Sequence, residues 1–421
     1  MKKYSLKHRL DALGLAWTTI LLIAVMSSLI YTGPALWQTW THSGPTLVTK
    51  GNEAGGAFVA GHDFVAFYSA SQAAIGGEAT HIYNESYMKQ VQHTLVGNST
   101  YGYLAFMYPP PYILLVSPLS LLPYFPALAL WLLIPLVALL LAMEQGIRMP
   151  TTWLALVLTA PAVGQAAFAG QNGLLFAALL AGGLLWHERK PIPAGILLGI
   201  AIAKPQIAVL VFPALVFGRH WKALVAATVT TAVMIGLSTA LFGTEIWNAY
   251  ASVPNQAREW LAAGRLPWAR MPTVYASVRL AGSSDTAAII AQGVIALTVL
   301  GVIAWAWRRN VSSSLRIAIL LAGMPLTTPF LYDYDLPLML PALALFIAHA
   351  SRTGWRRWEK PMLLAVWLQP IWWWTLTATA WEFSIAPIVY SLFFLTVIRR
   401  IYLADTDILP IHDRNIDQRT C

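Results

Sequence analysis

Charge and cysteine are both scarce in this sequence. Only 11% of its 421 residues are charged, 57% are hydrophobic, and the mean hydropathy is +0.60. That balance lies outside the range of soluble globular domains and excludes a surface built to face water on every side. A single cysteine, Cys421, excludes an intrachain disulfide and a thiolate metal cluster. Nucleotide-binding signatures are missing too. The chain has no Walker-A sequence, and GHDF at 61–64 and GQNG at 170–173 lack the strand-to-helix context of a dinucleotide turn. His62, His81 and His93 share no HExxH-like spacing, so no metal site and no cofactor are predicted.

What the chain has in abundance is long apolar runs. Lipid offers no partner for backbone N–H and C=O groups, so such runs must satisfy them internally, as helices. The predicted fold class is an all-α polytopic membrane protein, with about twelve spans by the twenty-residue rule. The first run, residues 13–31, follows Lys2, Lys3, Lys7 and Arg9 in the manner of a signal peptide. It is longer than a signal core and no small-residue cleavage site follows, so a retained span is expected. Nineteen tryptophans suit the two membrane interfaces.

The formal charge of +9 would suit nucleic acid, but the basic residues fall in short clusters between apolar runs. Arg189 with Lys190, Arg219 with Lys222, Arg308 with Arg309, the group Arg352, Arg356, Arg357 and Lys360, and Arg399 with Arg400 are therefore predicted to face the cytoplasm. Both termini go with them, and no nucleic-acid partner is expected. The outward loops are then 34–111, the turn at 164–173, the break at Lys204, 244–285 and the TTPFLYDYD segment. Residues 1–404 read as one integral-membrane domain and 405–421 as a polar cytoplasmic tail. Residues 109–122 are apolar but rich in proline, and a full crossing there would put later turns on the wrong sides. A partly crossing segment is expected. No soluble domain, short-period repeat or low-complexity tract is visible.

Polar chemistry gathers on the predicted outer side. The run DFVAFYSASQAAIGG reads as a short interfacial helix, with Asp63, Phe67 and Ala70 on one face and Gly76 and Gly77 ending it. Asp63 has two readings: a helix N-cap, which is the commoner use of aspartate there, or an acid with a chemical task. Lys204 is a lone cation inside AGILLGIAIAKPQIAVLVF, where Pro205 breaks the helix. It either contacts an anion such as a phosphate or snorkels to the interface. The second outer loop carries Arg258, Arg265, Arg270 and Arg279 against the general charge bias. Their planar forks suit phosphate or carboxylate, as they also suit a solvated interfacial helix. Asp333 and Asp335 stand where TTPFLYDYDLP enters a span, either functional or, for Asp335, capping the following helix.

At these residues the chain resembles glycosyltransferase family 87, the polyprenyl-phosphate-sugar-dependent membrane glycosyltransferases that include lipid-mannoside mannosyltransferases. The resemblance runs in order through DFVAFYSASQAAIGGEATHIYN, YPPPYILLVSPLSLLP, GQNGLLFAALLAGGLLW, AGILLGIAIAKPQIAVLVFPALVFGRHW, YASVRLAG and TTPFLYDYDLPLMLP, covering about residues 60–345. It implies a GT-C-type fold with short interfacial helices in the first outer loop. It further implies transfer of a mannose-like hexose, with inversion, from a polyprenyl-phosphate donor to a lipid or glycan acceptor of the envelope. The active site would face the periplasm from a bacterial inner membrane. Asp63 would be the general base. Lys204 would face the donor phosphate, joined by Arg258 and Arg279. The substrate pocket would hold His62, Tyr68, Tyr108, Gln171, Asn172, Tyr334 and Asp335, with Tyr68, Tyr108 or Trp268 stacking on sugar. Where the mannosyltransferase branch carries a histidine pair, this chain has Tyr334 and Asp335. A transporter or flippase for a lipid-linked or anionic substrate is the alternative, because buried cations and broken spans also serve transport. A silent scaffold is a third.

Overall fold

The apolar runs become helices, and among the described residues there is no strand. The computed structural model describes residues 18, 20–30, 59–97, 99, 101–147, 151–378 and 383–406. The expectations for the basic N-terminus, the start of the first run, 34–58 and the tail past 406 lie outside these residues.

α1 (Ile20–Ile30) precedes the polar segment that holds α2 (Phe64–Ile75) and α3 (Glu85–Val96). α4 (Pro110–Val116) continues as a 3₁₀ turn, Ser117–Leu121. α5 (Tyr124–Ile147), α6 (Thr151–Leu158), α7 (Pro161–Ala169), α8 (Gly173–Trp186) and α9 (Pro191–Ala201) then lead to the break at Lys204. Beyond it come α10 (Pro205–Ala208), α11 (Val211–Phe217) and α12 (Trp221–Phe242), then the short α13 (Glu245–Tyr250), α14 (Val253–Ala262) and α15 (Val274–Leu280). α16 (Asp285–Trp307) and α17 (Ser313–Thr327) follow. A 3₁₀ turn, Asp333–Leu338, leads into α18 (Met339–Thr353), and α19 (Glu359–Ala378) and α20 (Ala386–Thr406) complete the bundle.

Among the described residues five helices are long and apolar enough to cross a membrane: Tyr124–Ile147, Trp221–Phe242, Asp285–Trp307, Asp333–Thr353 and Ala386–Ala404. Shorter apolar helices fill the space between them. On α12 the residues Val225, Val229, Val233, Leu237 and Leu241 repeat every fourth position and are 47% to 63% exposed. Such a stripe is unfavourable in water but matches hydrocarbon, so the chain is a multi-pass membrane protein. On its other side α12 packs closely on α9, where a Cβ at Gly195 or Gly199 would come within 2.5 Å of the α12 backbone. Small residues at this spacing let two membrane helices touch along their backbones. α8 and α17 are buried nearly all round and form the centre.

The turns between helices meet in two groups, one at each end of the bundle. One end gathers Asp63, Asn172, Lys204 and Asp335. The other carries the basic clusters, and there Arg400 is buried against Glu359 at 2.5 Å, with Thr353 and Gly354 completing its shell. The proline-rich segment starts beside Tyr108 and ends where Leu122 accepts from Tyr68 and Tyr124 donates to Ala60. Both its ends contact the α2 region, so it returns to the same end of the bundle. The interfacial helix expected at Phe64–Ile75 is instead buried on most sides. Its Phe64 and Phe67 rings pack on Tyr108, Tyr112, Tyr124 and Trp131, an aromatic cover that a helix pattern alone does not reveal.

Candidate active site

Several chain segments converge on one pocket. Gly170 (φ +68°) brings the 170–173 turn against Gly61, and the Asp63 N–H donates to the Ala169 carbonyl at 3.0 Å. Gly173 lies so close to Tyr334 that a Cβ there would overlap its carbonyl oxygen. Gly173→Ala is therefore expected to push the Asp335 turn away and lower both the yield of folded protein and its thermal midpoint. Wild-type midpoint and yield in detergent would refute the close approach.

Asp63 stands at the start of α2 but its carboxylate makes no capping bond. It accepts instead from Gln171 Nε2 at 2.9 Å and lies 2.7 Å from His62 Nε2. Burial alone would raise the Asp63 carboxyl. The neighbouring His62, Arg270 and Gln171 outweigh that and hold it below the usual carboxylate range. The acid is thus ionised at neutral pH and turned into the pocket.

Lys204 does not snorkel. It is 2% exposed, with Nζ 2.5 Å from Asp335 Oδ1 and 2.8 Å from Asn172 Oδ1, and it lies over the rings of Tyr108, Phe176 and Tyr334. Asp335 serves two purposes, because its second oxygen accepts the Tyr332 N–H and closes the 3₁₀ turn. Beside it Arg270 makes a two-bond fork to Asp333, at 3.2 and 3.0 Å, and lies over Tyr334. Burial of Arg270 is more than compensated by Asp333, so its pKa is raised.

A cavity of about 490 Å³ joins these groups, with His62, Asp63, Tyr108, Gln171, Lys204, Tyr334 and Asp335 all in its wall. Asn172 stands behind Lys204 and bonds Tyr112. Tyr68 lies away from the cavity, its hydroxyl committed to Leu122. The two loop arginines chosen from sequence are also elsewhere. Arg258 is exposed on α14, and Arg279 is spent on the Ala262 and Ser283 carbonyls and the Trp268 ring. Arg265 and Arg270 line the cavity in their place, and Trp260 does so where Trp268 was expected. Gln92 holds the rim by bonding both the N–H and the C=O of Leu104, and Tyr83 fixes the Tyr108 carbonyl.

The pocket is thus an ionised acid facing cations across a space large enough for a sugar. In comparison with known families, the model described as Glycosyltransferase family 87 aligns with residues 106–329. The matched stretch contains Tyr108, Gln171, Lys204 and Arg270, while Asp63 precedes it and Asp335 follows it. Comparison with curated proteins and with solved structures gives no match.

Proposed function

Because the chain belongs to glycosyltransferase family 87, we propose that it transfers a hexose from a polyprenyl-phosphate-linked donor to a lipid or glycan acceptor of the envelope. The observation that carries this reading is the single cavity shared by Asp63 and the cations Lys204, Arg265 and Arg270. A lipid-linked donor keeps its chain in the bilayer and its anomeric carbon near the surface, so base and anion cradle must lie at one depth.

In the step proposed, Asp63 accepts the proton of the acceptor hydroxyl as that oxygen bonds to the anomeric carbon. The bond from that carbon to the phosphate oxygen breaks, and the phosphate leaves with the electron pair. A single displacement of this kind inverts the anomeric centre. Arg265 and Arg270 meet the departing phosphate, in place of Arg258 and Arg279, and Lys204 adds positive potential from the cavity wall. Gln171 and His62 hold the Asp63 carboxylate, and Tyr108, Tyr334 and Trp260 offer faces to the sugar. The fold proposed is of GT-C type with about twelve crossings, to which the five long helices and some of the shorter apolar ones contribute. The basic end opposite the pocket supports a cytoplasmic placement for that end and an outward-facing site; the membrane proposed is the inner membrane of a bacterium.

Purified protein given polyprenyl-phosphate hexoses and an envelope extract is expected to form a glycosylated product. Accumulation of substrate in vesicles with no covalent product would establish transport instead. Arg270→Ala is expected to weaken donor capture at least tenfold, as a rise in KM, whereas Arg279→Ala leaves KM within about twofold. Equal effects of the two would remove Arg270 from the donor site.

A further inference from the structure

At the end of the bundle away from the pocket, two histidines meet. His187 follows α8 and His220 precedes α12. Their rings stand edge to face with centroids 4.3 Å apart, both packed against Trp307. The next residue, Glu188, is anchored by Arg316 at 2.6 Å.

The protonation of His187 follows from its neighbour. Its Nδ1 lies 2.6 Å from the Leu184 carbonyl, which can only accept, so Nδ1 carries the proton. Nε2 of a neutral ring is then left with a lone pair. Burial disfavours charge on both rings: His187 lies below its ordinary value and His220 is lowered to about 4. Yet Nε2 of each ring is buried with no hydrogen-bond partner. His187 itself is 2% exposed, and its Nε2 stays 3.6 Å from the nearer Glu188 oxygen. Buried polar atoms ordinarily find partners, and two orphaned nitrogens side by side call for one between them.

We propose that His187 Nε2, His220 Nε2 and Glu188 bind a divalent transition ion of the Zn²⁺ type. Their ligand atoms lie within 4.8 Å of one another. Ligands on one zinc lie within about 4 Å, so closure by about 1 Å brings them into the coordination shell. Two imidazoles with one carboxylate select zinc-like ions over Mg²⁺ or Ca²⁺, which take oxygen ligands. The Leu184 carbonyl already fixes the tautomer that a bound His187 needs. A carboxylate has two oxygens, so Glu188 can meet the ion and keep Arg316. The site lies one length of α8, about 21 Å, from Asn172. It therefore fastens the turn after α8 to the turn before α12 and takes no part in transfer.

Tag-free protein in detergent, stripped with chelator, should bind one Co²⁺ per chain with visible ligand-field absorption. One equivalent of Zn²⁺ should displace it, and excess Mg²⁺ should not. Zn²⁺ should also raise the thermal midpoint. His220→Gln should abolish binding and the midpoint shift, and Glu188→Gln, at a half-exposed position, should weaken binding at least tenfold. The wild-type titration decides even where a histidine variant fails to fold. No stoichiometric Co²⁺ in wild type, equal binding of Mg²⁺, or unchanged binding in Glu188→Gln and His220→Gln would overturn the site.

Discussion

Asp63→Asn is expected to leave a folded protein that captures donor but transfers sugar 10²- to 10⁴-fold more slowly, on the order of what a positioned general base supplies. The fold should survive because the Asp63 side chain caps nothing and an amide retains an oxygen for Gln171. The loss should appear in kcat, with KM near wild type, since the acceptor proton moves only in the transition state. The pH dependence follows from the lowered Asp63 pKa. In the proposed role the base works ionised, so its contribution should hold as pH falls and fade only below the usual carboxylate range. Replacing His62 removes the strongest influence holding that pKa down and leaves the desolvation that pushes it up. His62→Gln should therefore move the acid limb of kcat/KM towards higher pH. Full activity of Asp63→Asn, or an acid limb in His62→Gln that stays put or moves down, would take the proton transfer away from this carboxylate.

Much of this arrangement was legible in the chain because polar residues inside apolar sequence are conspicuous. Lys204 stands out between apolar runs, and the proline after it separates α9 from α10 as expected. Asp63 and Asp335 are conspicuous as acids beside apolar sequence, Tyr108 and Gln171 come only through the family resemblance, and all four line one cavity with Lys204. The span lengths were less legible. α8 and α17 have 14 and 15 residues and are enclosed by other helices, so a twenty-residue lipid rule does not describe them. The choice among loop arginines was not legible at all. Arg258, Arg265, Arg270 and Arg279 look alike in sequence, and the difference is made by packing: carbonyls and Trp268 hold Arg279, while Asp333 holds Arg270 at the cavity. His187 and His220 escaped notice for a similar reason. They sit on separate turns, with no ligand spacing to join them, until helix packing brings their rings together.

Asp335→Asn should destabilise the protein by roughly 3–5 kcal/mol, because it leaves the Lys204 ammonium buried with the uncharged Asn172 as its remaining side-chain acceptor. Asparagine keeps an oxygen for the Tyr332 N–H, so the loss reports the charge and not the turn. Lys204→Met should destabilise comparably, stranding the carboxylate. The double variant Lys204→Met/Asp335→Leu separates structure from function. With both charges gone, no desolvated ion lacks a partner, and stability should return to near wild type, as it often does when a buried pair is replaced by apolar residues. Transfer should not return. A departing phosphate gains from a cation fixed in a water-poor wall, and methionine supplies none. Denaturant midpoints and transfer rates on the three variants check both halves. A double variant as unstable as either single would place the cost in packing instead of charge. One that is stable and fully active would reduce the pair to a helix fastening, leaving Arg265 and Arg270 to meet the anion alone.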